Sequence, residues 1–140
     1  MKSKENENLI FIRLFPNEDV NTQIMNACKR HNVRTAVLIS AIGQLQKVKI
    51  GYFKEKGDYF PKMFEKPLEI LSLTGNICKQ NDEYIPHFHI VVGDENKNAF
   101  GGHFIDGKVS VTAEIVLLKN EINLYRKINE KTGLKNLYFE

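Results

Sequence analysis

The sequence predicts a single α+β domain, with a mainly antiparallel sheet of about seven short strands and one main helix. Three observations predict this fold class. Most apolar residues lie in short runs that alternate with polar residues, as half-buried strands require. Only residues 19–31 have the spacing of an amphipathic helix. The 140 residues, 42% of them hydrophobic, can form one sizeable core but not two.

The start of the chain contains a polar end, a strand and the helix. Residues 1–8 are charged and polar, so we expect a disordered N-terminal end. The domain is then expected to span residues 9–140, beginning with an alternating strand at residues 9–14. Asn17 is expected to cap the helix, and His31 is expected to lie at the surface beside its C-terminus.

Further strands are predicted along the rest of the chain. Residues 33–42 are almost continuously apolar, as in a central strand, and residues 44–53 alternate. Residues 68–77 form another strand, in which Glu69 lies among apolar neighbours. A carboxylate in that position is paired, exposed at an edge or functional, so Glu69 is a candidate catalytic residue. Residues 122–139 predict a further strand, a turn and a short final segment.

Three of the four histidines lie within residues 86–104. The first part of this segment is rich in β-branched and aromatic residues and predicts a strand. Side chains alternate along a strand, so His87 and His89 point to the same face. If residues 94–98 form a hairpin loop, His89 lies directly opposite His103. All three imidazoles then converge on one patch.

The Asp106-Gly107 pair is typical of a two-residue hairpin turn. Such a turn would bring the following strand beside the histidines and place Ser110, Thr112 and Glu114 on their face. Glu114 is therefore the second candidate catalytic residue. Ser110 and Thr112 are candidates for hydrogen bonds that orient the histidines.

Three neutral imidazoles with an open fourth position are the ligand set of a catalytic-type zinc site. His87, His89 and His103 are therefore candidate ligands of zinc or a similar divalent metal ion. The alternative is a solvated polar face that carries histidines by chance, and the sequence leaves both interpretations open. The metal hypothesis depends on the register, because a slip of one residue would turn His103 into the core.

The net charge and the cysteine content indicate which binding partners and which cellular compartment to expect. A net charge of +3 with dispersed lysines gives little support to nucleic-acid binding. Cys28 and Cys78 lack metal-type spacing, and there is no signal peptide or apolar run of transmembrane length. We therefore expect a reduced, cytoplasmic protein without membrane contact. The limited helix content leaves sheet surface for a second copy, which favours a homo-oligomer.

Several motifs, in this order, resemble the plant and prokaryote conserved (PPC) domain. They are E-I-L-S-L-T-G-N at residues 69–76, H-F-H at 87–89, G-G-H-F at 101–104 and T-A-E at 112–114. The resemblance covers about residues 9–118 and implies a homotrimer with a mainly antiparallel sheet. In plant members an AT-hook supplies the DNA contact. This chain has no Arg-Gly-Arg-Pro motif and resembles the stand-alone prokaryotic form, described as a predicted DNA-binding protein.

The fold is also similar to that of acetolactate decarboxylase, in which an H-x-H motif and a later histidine hold zinc. His87, His89 and His103 match that pattern. This likeness concerns the fold and the ligand pattern, so it supports metal binding more than any particular reaction.

Two functions follow from these observations. The first is a homotrimeric regulatory or DNA-associated binding module with a three-histidine metal site, whose partners are DNA, a regulatory protein or a small-molecule ligand. The alternative is a zinc-dependent hydrolase or decarboxylase that acts on a small carboxylated molecule, with Glu69 or Glu114 as acid or base. All four arginines, Arg126 included, are remote from the histidines in sequence. We therefore expect no substrate-binding arginine beside the site, which favours the binding module over the enzyme.

Overall fold

The computed structural model describes residues 1–139, in which nine strands and one helix are present. The elements in chain order are β1 (Lys2–Asn6), β2 (Leu9–Leu14), α1 (Val20–Arg30), β3 (Thr35–Gly51), β4 (Lys62–Phe64), β5 (Leu68–Gln80), β6 (Glu83–Gly93), β7 (Ala99–Asn120), β8 (Leu124–Ile128) and β9 (Lys135–Phe139). Seven strands form one antiparallel sheet in the order β1-β2-β7-β6-β5-β3-β4, and β8 pairs with β9. The predicted α+β fold, with about seven sheet strands and one main helix, is confirmed.

The two longest strands close the sheet on itself. β3 has 17 residues and β7 has 22, and the two pair directly as well as through β5 and β6. The pairing of β3 with β7 contains four register shifts, which give the two strands the bends that closure requires. The two strands predicted at residues 33–42 and 44–53 are therefore one strand, because the chain continues through a bulge at Gly43 instead of ending there.

Two glycines allow the strands of this closed sheet to approach each other. Gly43 has φ +136°, and a Cβ there would lie 2.2 Å from the carbonyl oxygen of Thr112. Gly75 has φ +148°, and a Cβ there would lie 2.0 Å from the carbonyl oxygen of His87. Both the backbone conformation and the space require glycine.

The helix covers one end of the core, as its pattern predicts. Its buried residues are Val20, Ile24, Ala27 and Cys28. The predicted N-cap is wrong, because Asn17 has φ +70° and lies before the cap. The side chain of Asp19 instead accepts a hydrogen bond from the Thr22 backbone N–H at 2.7 Å, which caps the first turn.

The N-terminal residues are ordered, contrary to the disordered end expected for residues 1–8. Lys2–Asn6 forms β1 and pairs along β2. Glu5 forms an ion pair with Lys119 and a hydrogen bond with His31 Nδ1 at 3.1 Å, and His31 Nε2 lies 2.9 Å from Ser3 Oγ. His31 thus joins the end of the helix to β1. Glu5, one of the charged residues that indicated a solvated end, helps to attach it.

The C-terminal hairpin β8–β9 packs against the end of β5. The backbone N–H of Arg126 donates to Gln80 Oε1 at 2.8 Å, and Thr35 Oγ1 donates to the carbonyl oxygen of Ile122 at 2.8 Å. The hairpin agrees with the strand, turn and final segment predicted at residues 122–139. Within residues 1–139, no helix has both the length and the apolar character that a membrane span requires.

Candidate metal centre

The predicted hairpin register around the histidines is confirmed. Gly93 pairs with Ala99, and His89 pairs with His103 across the β6–β7 ladder. On the other face of β6, Phe88 and its alternate neighbours are buried in the core. The alternation therefore places His87 and His89 on the outer face of the strand, beside His103.

The three imidazoles form a compact cluster. One ring nitrogen of each histidine lies within 4.8 Å of those of the other two. The ring centroids are 5.3 Å apart for His87 and His89, 5.3 Å for His87 and His103, and 5.6 Å for His89 and His103. Nitrogen ligands on a tetrahedral zinc ion lie about 3.4 Å apart. Binding of a zinc ion would therefore draw the three nitrogens closer together than the 4.8 Å within which they lie.

The surroundings of His87 and His103 favour the neutral imidazole, the form that binds metal ions. Burial, followed by the neighbouring His87 and His89, lowers the pKa of His103 from 6.5 to about 4. Burial also lowers the pKa of His87, with smaller contributions from Arg126 and His89. His103 Nδ1 is buried without a hydrogen-bond partner among the described residues. The edge-on ring of Tyr59, at 5.1 Å from the His103 ring, accounts for part of this burial.

A cavity of about 910 Å³ opens beside His87 and His103. The C-terminal hairpin forms one of its walls, with Arg126 and residues 133–137. The guanidinium of Arg126 donates to Asn76 Oδ1, and Asn76 is the ladder partner of His87. The expectation that every arginine is remote from the site is therefore wrong. The expectation rested on distance along the sequence, whereas the docked C-terminal hairpin places Arg126 beside the histidines.

Neither candidate catalytic carboxylate lies at the histidine cluster. Glu69 pairs with Gly93, four residues and about 13 Å along β6 from His89. Its carboxylate accepts a hydrogen bond from Gln44 Nε2 at 2.8 Å. Glu114 lies eleven residues beyond His103 on β7, where it lines a second cavity of about 530 Å³.

Ser110 and Thr112 are also separated from the histidines, because the predicted hairpin at Asp106-Gly107 does not exist. β7 continues through Asp106 and Gly107, and both residues pair with β3. Thr112 Oγ1 donates to the carbonyl oxygen of Leu14 at 3.3 Å. The glycine has a packing role instead, since a Cβ on Gly107 would lie 2.9 Å from the ring of Phe104.

The lowered pKa of His103 predicts how the stability of the metal-free protein depends on pH. The unfolded chain binds a proton near pH 6.5 and the folded chain only near pH 4, so unfolding is favoured as the pH falls through this range. The free energy of unfolding should be highest above pH 6.5 and decline towards pH 4. Urea unfolding of chelator-treated protein measures it. His103→Gln should flatten the decline, and an equally steep decline in this variant would contradict the assignment.

Solved structures share this fold along almost the whole chain. One is a candidate DNA-binding protein from Bacteroides thetaiotaomicron, with a TM-score of 0.91 and 24% identity over 99% of this chain and 96% of that one. Another is the metal-containing protein AF0104 from Archaeoglobus fulgidus, with a TM-score of 0.83 and 30% identity over 99% of both chains. At the identity of the first structure, the likeness shows the fold alone.

The sequence also resembles a segment of a larger protein. The bifunctional protein GlmU of two Synechococcus strains is 28% identical over 131 residues, which are 92% of this chain. The chain spans only 20% of the length of GlmU. The similarity therefore concerns one segment of that protein.

The pattern that defines the Plants and Prokaryotes Conserved (PCC) domain matches residues 1–121. The match includes the helix, the seven-stranded sheet and all three clustered histidines. It ends before the hairpin β8–β9 begins at Leu124. The motifs at residues 69–76, 87–89 and 101–104 therefore indicated the family correctly. The chain belongs to the PCC domain family, also written PPC.

Proposed function

We propose that the chain is a PPC-domain binding module in which His87, His89 and His103 hold zinc or a similar divalent metal ion. The observation that carries this proposal is the convergence of three imidazole nitrogens within 4.8 Å. Imidazole is a suitable ligand for zinc and for several other transition metals. The 30% identical relative from A. fulgidus is described as metal-containing, which supports the same conclusion.

The donor set also indicates what kind of metal site this is. Closed structural zinc sites use four protein ligands, whereas sites with three leave a position for a small ligand. A bound zinc ion would supply Lewis-acid chemistry at that position. The described residues hold the donors in place from two strands, and the ring of Tyr59 packs against His103. The arrangement therefore suits a metal that binds a further molecule.

A zinc-dependent hydrolase or decarboxylase is the alternative function. It would need a group that transfers protons beside the histidines, and Glu69 and Glu114 both lie elsewhere. Tyr59 does contact the cluster, but burial raises the pKa of its hydroxyl and makes it a poorer base near neutral pH. These placements favour the binding module over the enzyme.

Metal content tests the proposal directly. Protein purified without added metal or chelator should contain about one zinc or similar ion per chain, as measured by elemental analysis. The triple variant His87→Ala, His89→Ala, His103→Ala should lose the metal, because all three donors are removed. His31→Gln is the matched control, since this fourth histidine lies at the end of the helix. Equal metal content in wild type and the triple variant would contradict the site.

We also propose that the module assembles as a homotrimer. Apolar side chains on neighbouring strands β2, β3 and β7 face outward beside one another, in the order Phe11, Leu9, Leu118 and Val37. Phe11 is 61% exposed and Val37 is 40% exposed. A contiguous apolar surface of this kind is typical of a protein interface. The PPC resemblance implies three copies.

Sedimentation equilibrium tests the assembly. Wild type should have three times the chain mass of 16.2 kDa. Phe11→Glu should lower the mass, because burying an unpaired charge in an interface is costly. Ile128→Glu, an equally drastic change at a 65% exposed residue of β8, should remain trimeric. A monomeric wild type at every concentration would contradict the proposal.

DNA association is the second candidate function. The structural relative from B. thetaiotaomicron is described as a candidate DNA-binding protein. In this chain Lys2, Lys4 and Arg13 line the second cavity, and Lys2 is the ladder partner of Arg13. Glu114, the ladder partner of Arg13, is the one carboxylate among the described lining residues, so the three cations leave a net positive patch that a phosphate backbone would contact.

A gel-shift titration against salt tests DNA association. Duplex DNA should shift at about 50 mM salt, and the affinity should fall steeply at higher salt because phosphate contacts release counterions. The double variant Lys2→Gln, Lys4→Gln should weaken binding and reduce the salt dependence. The double variant Lys127→Gln, Lys131→Gln, at two exposed residues near the C-terminal hairpin turn, removes the same charge and is the matched control. No shift at the lowest salt concentration would contradict direct DNA binding.

A further inference from the structure

The cavity beside the histidines has an unbalanced charge. The described residues that line it include Lys49, Arg126 and Lys135, and no carboxylate is among them. Three cations around one cavity create a positive potential, which low-dielectric walls strengthen. The cavity is therefore suited to an anion.

Arg126 is the best placed of the three cations. Only 6% of its surface is exposed, whereas Lys135 is exposed. Nη1 donates to the carbonyl oxygen of Lys135 at 3.1 Å, and Nη2 donates to Asn76 Oδ1. Nε is buried without a partner among residues 1–139. A buried guanidinium N–H without an acceptor is costly, and an anion in the cavity that Arg126 lines would supply the missing acceptor.

The geometry of a guanidinium favours a planar acceptor. Its Nε–H is parallel to one N–H of a neighbouring Nη, and a carboxylate accepts both at once. Each Nη of Arg126 carries two N–H groups, so it has a second one besides the hydrogen bond that it already makes. The cavity also has apolar walls, from Pro61, Ile85, Ile105 and Leu137. The ligand class that fits both features is an organic carboxylate with an apolar body.

We propose that this cavity binds an organic carboxylate and that Arg126 recognises its carboxyl group. Asn76 holds the guanidinium and is the ladder partner of His87, so the anion site and the histidine cluster share one wall. The inference deepens the proposed function and rests on it where the ligand also reaches the metal. Arg126 lies beyond residue 121, outside the part of the chain that the PCC domain covers.

Benzoate is a suitable probe, because it combines a carboxylate with an apolar ring. Benzamide has the same shape without the charge, and inorganic phosphate has the charge without the ring. We expect benzoate to bind wild type, followed by titration calorimetry and by amide chemical shifts. Arg126→Gln should weaken benzoate binding at least tenfold, the order expected for loss of one charge-assisted hydrogen-bonded pair. Benzamide and phosphate should bind more weakly than benzoate.

The matched control is Lys127→Gln, the next residue of β8, which is exposed and contacts the rings of Tyr125 and Tyr138. It removes the same charge and should leave benzoate affinity unchanged. Arg126→Lys keeps the charge but loses the paired N–H donors of the guanidinium, so it should bind benzoate with reduced affinity. This variant tests the inference even if Arg126→Gln fails to fold. Unchanged affinity in Arg126→Lys and Arg126→Gln, or no benzoate binding to wild type, would overturn the inference. Phosphate binding as tight as benzoate would overturn the carboxylate assignment.

Metal content in the same preparations separates this inference from the proposed function. Arg126→Gln that keeps its metal and loses benzoate supports the anion site. Wild type that contains no metal and still binds benzoate through Arg126 refutes the metal centre alone. Wild-type protein that contains metal but does not bind benzoate refutes the anion site alone.

Discussion

The register between β6 and β7 is the constraint on which the candidate site depends. Side chains alternate along a strand, so a shift of one residue would turn His103 into the core and separate it from His89. The connecting loop fixes this register. Asp94 Oδ1 accepts hydrogen bonds from the backbone N–H groups of Asn96 and Asn98, both at 3.0 Å. The close approach of the two strands also restricts the register, because position 101 has room only for glycine. A Cβ on Gly101 would lie 2.1 Å from the carbonyl oxygen of Ile90.

Local signals were enough to predict this part of the molecule. The polar loop at residues 94–98 has a definite length, so the pairing of His89 with His103 followed from counting along the two strands. The same reasoning failed at Asp106-Gly107, where the residue types were right for a turn but β3 provides a continuous partner strand. The sequence does not distinguish a glycine that is required by the packing of a neighbouring ring from a glycine that is required by a turn. Glu114, Ser110 and Thr112 were misplaced for that single reason.

Arg126 could not have been placed from the sequence. Its position beside His87 depends on how the C-terminal hairpin docks, and that docking rests on contacts between distant segments, such as the backbone of Arg126 with Gln80. No periodicity or turn motif encodes such a contact. The cluster of histidines and the basic cavity therefore differ in kind. The first follows from one hairpin, whereas the second exists only after the whole chain has folded.

The division between sheet and hairpin has a consequence for how such a protein can change over time. The three histidines belong to β6 and β7, which have strands of the sheet on both sides, whereas one wall of the cavity belongs to the short C-terminal hairpin. Changes at exposed side chains of the hairpin, such as Lys135, alter the charge of that wall without removing the contacts of Arg126 with Asn76 and Gln80. The same scaffold can therefore acquire a new choice of ligand through residues 133–137 while the histidine cluster stays unchanged.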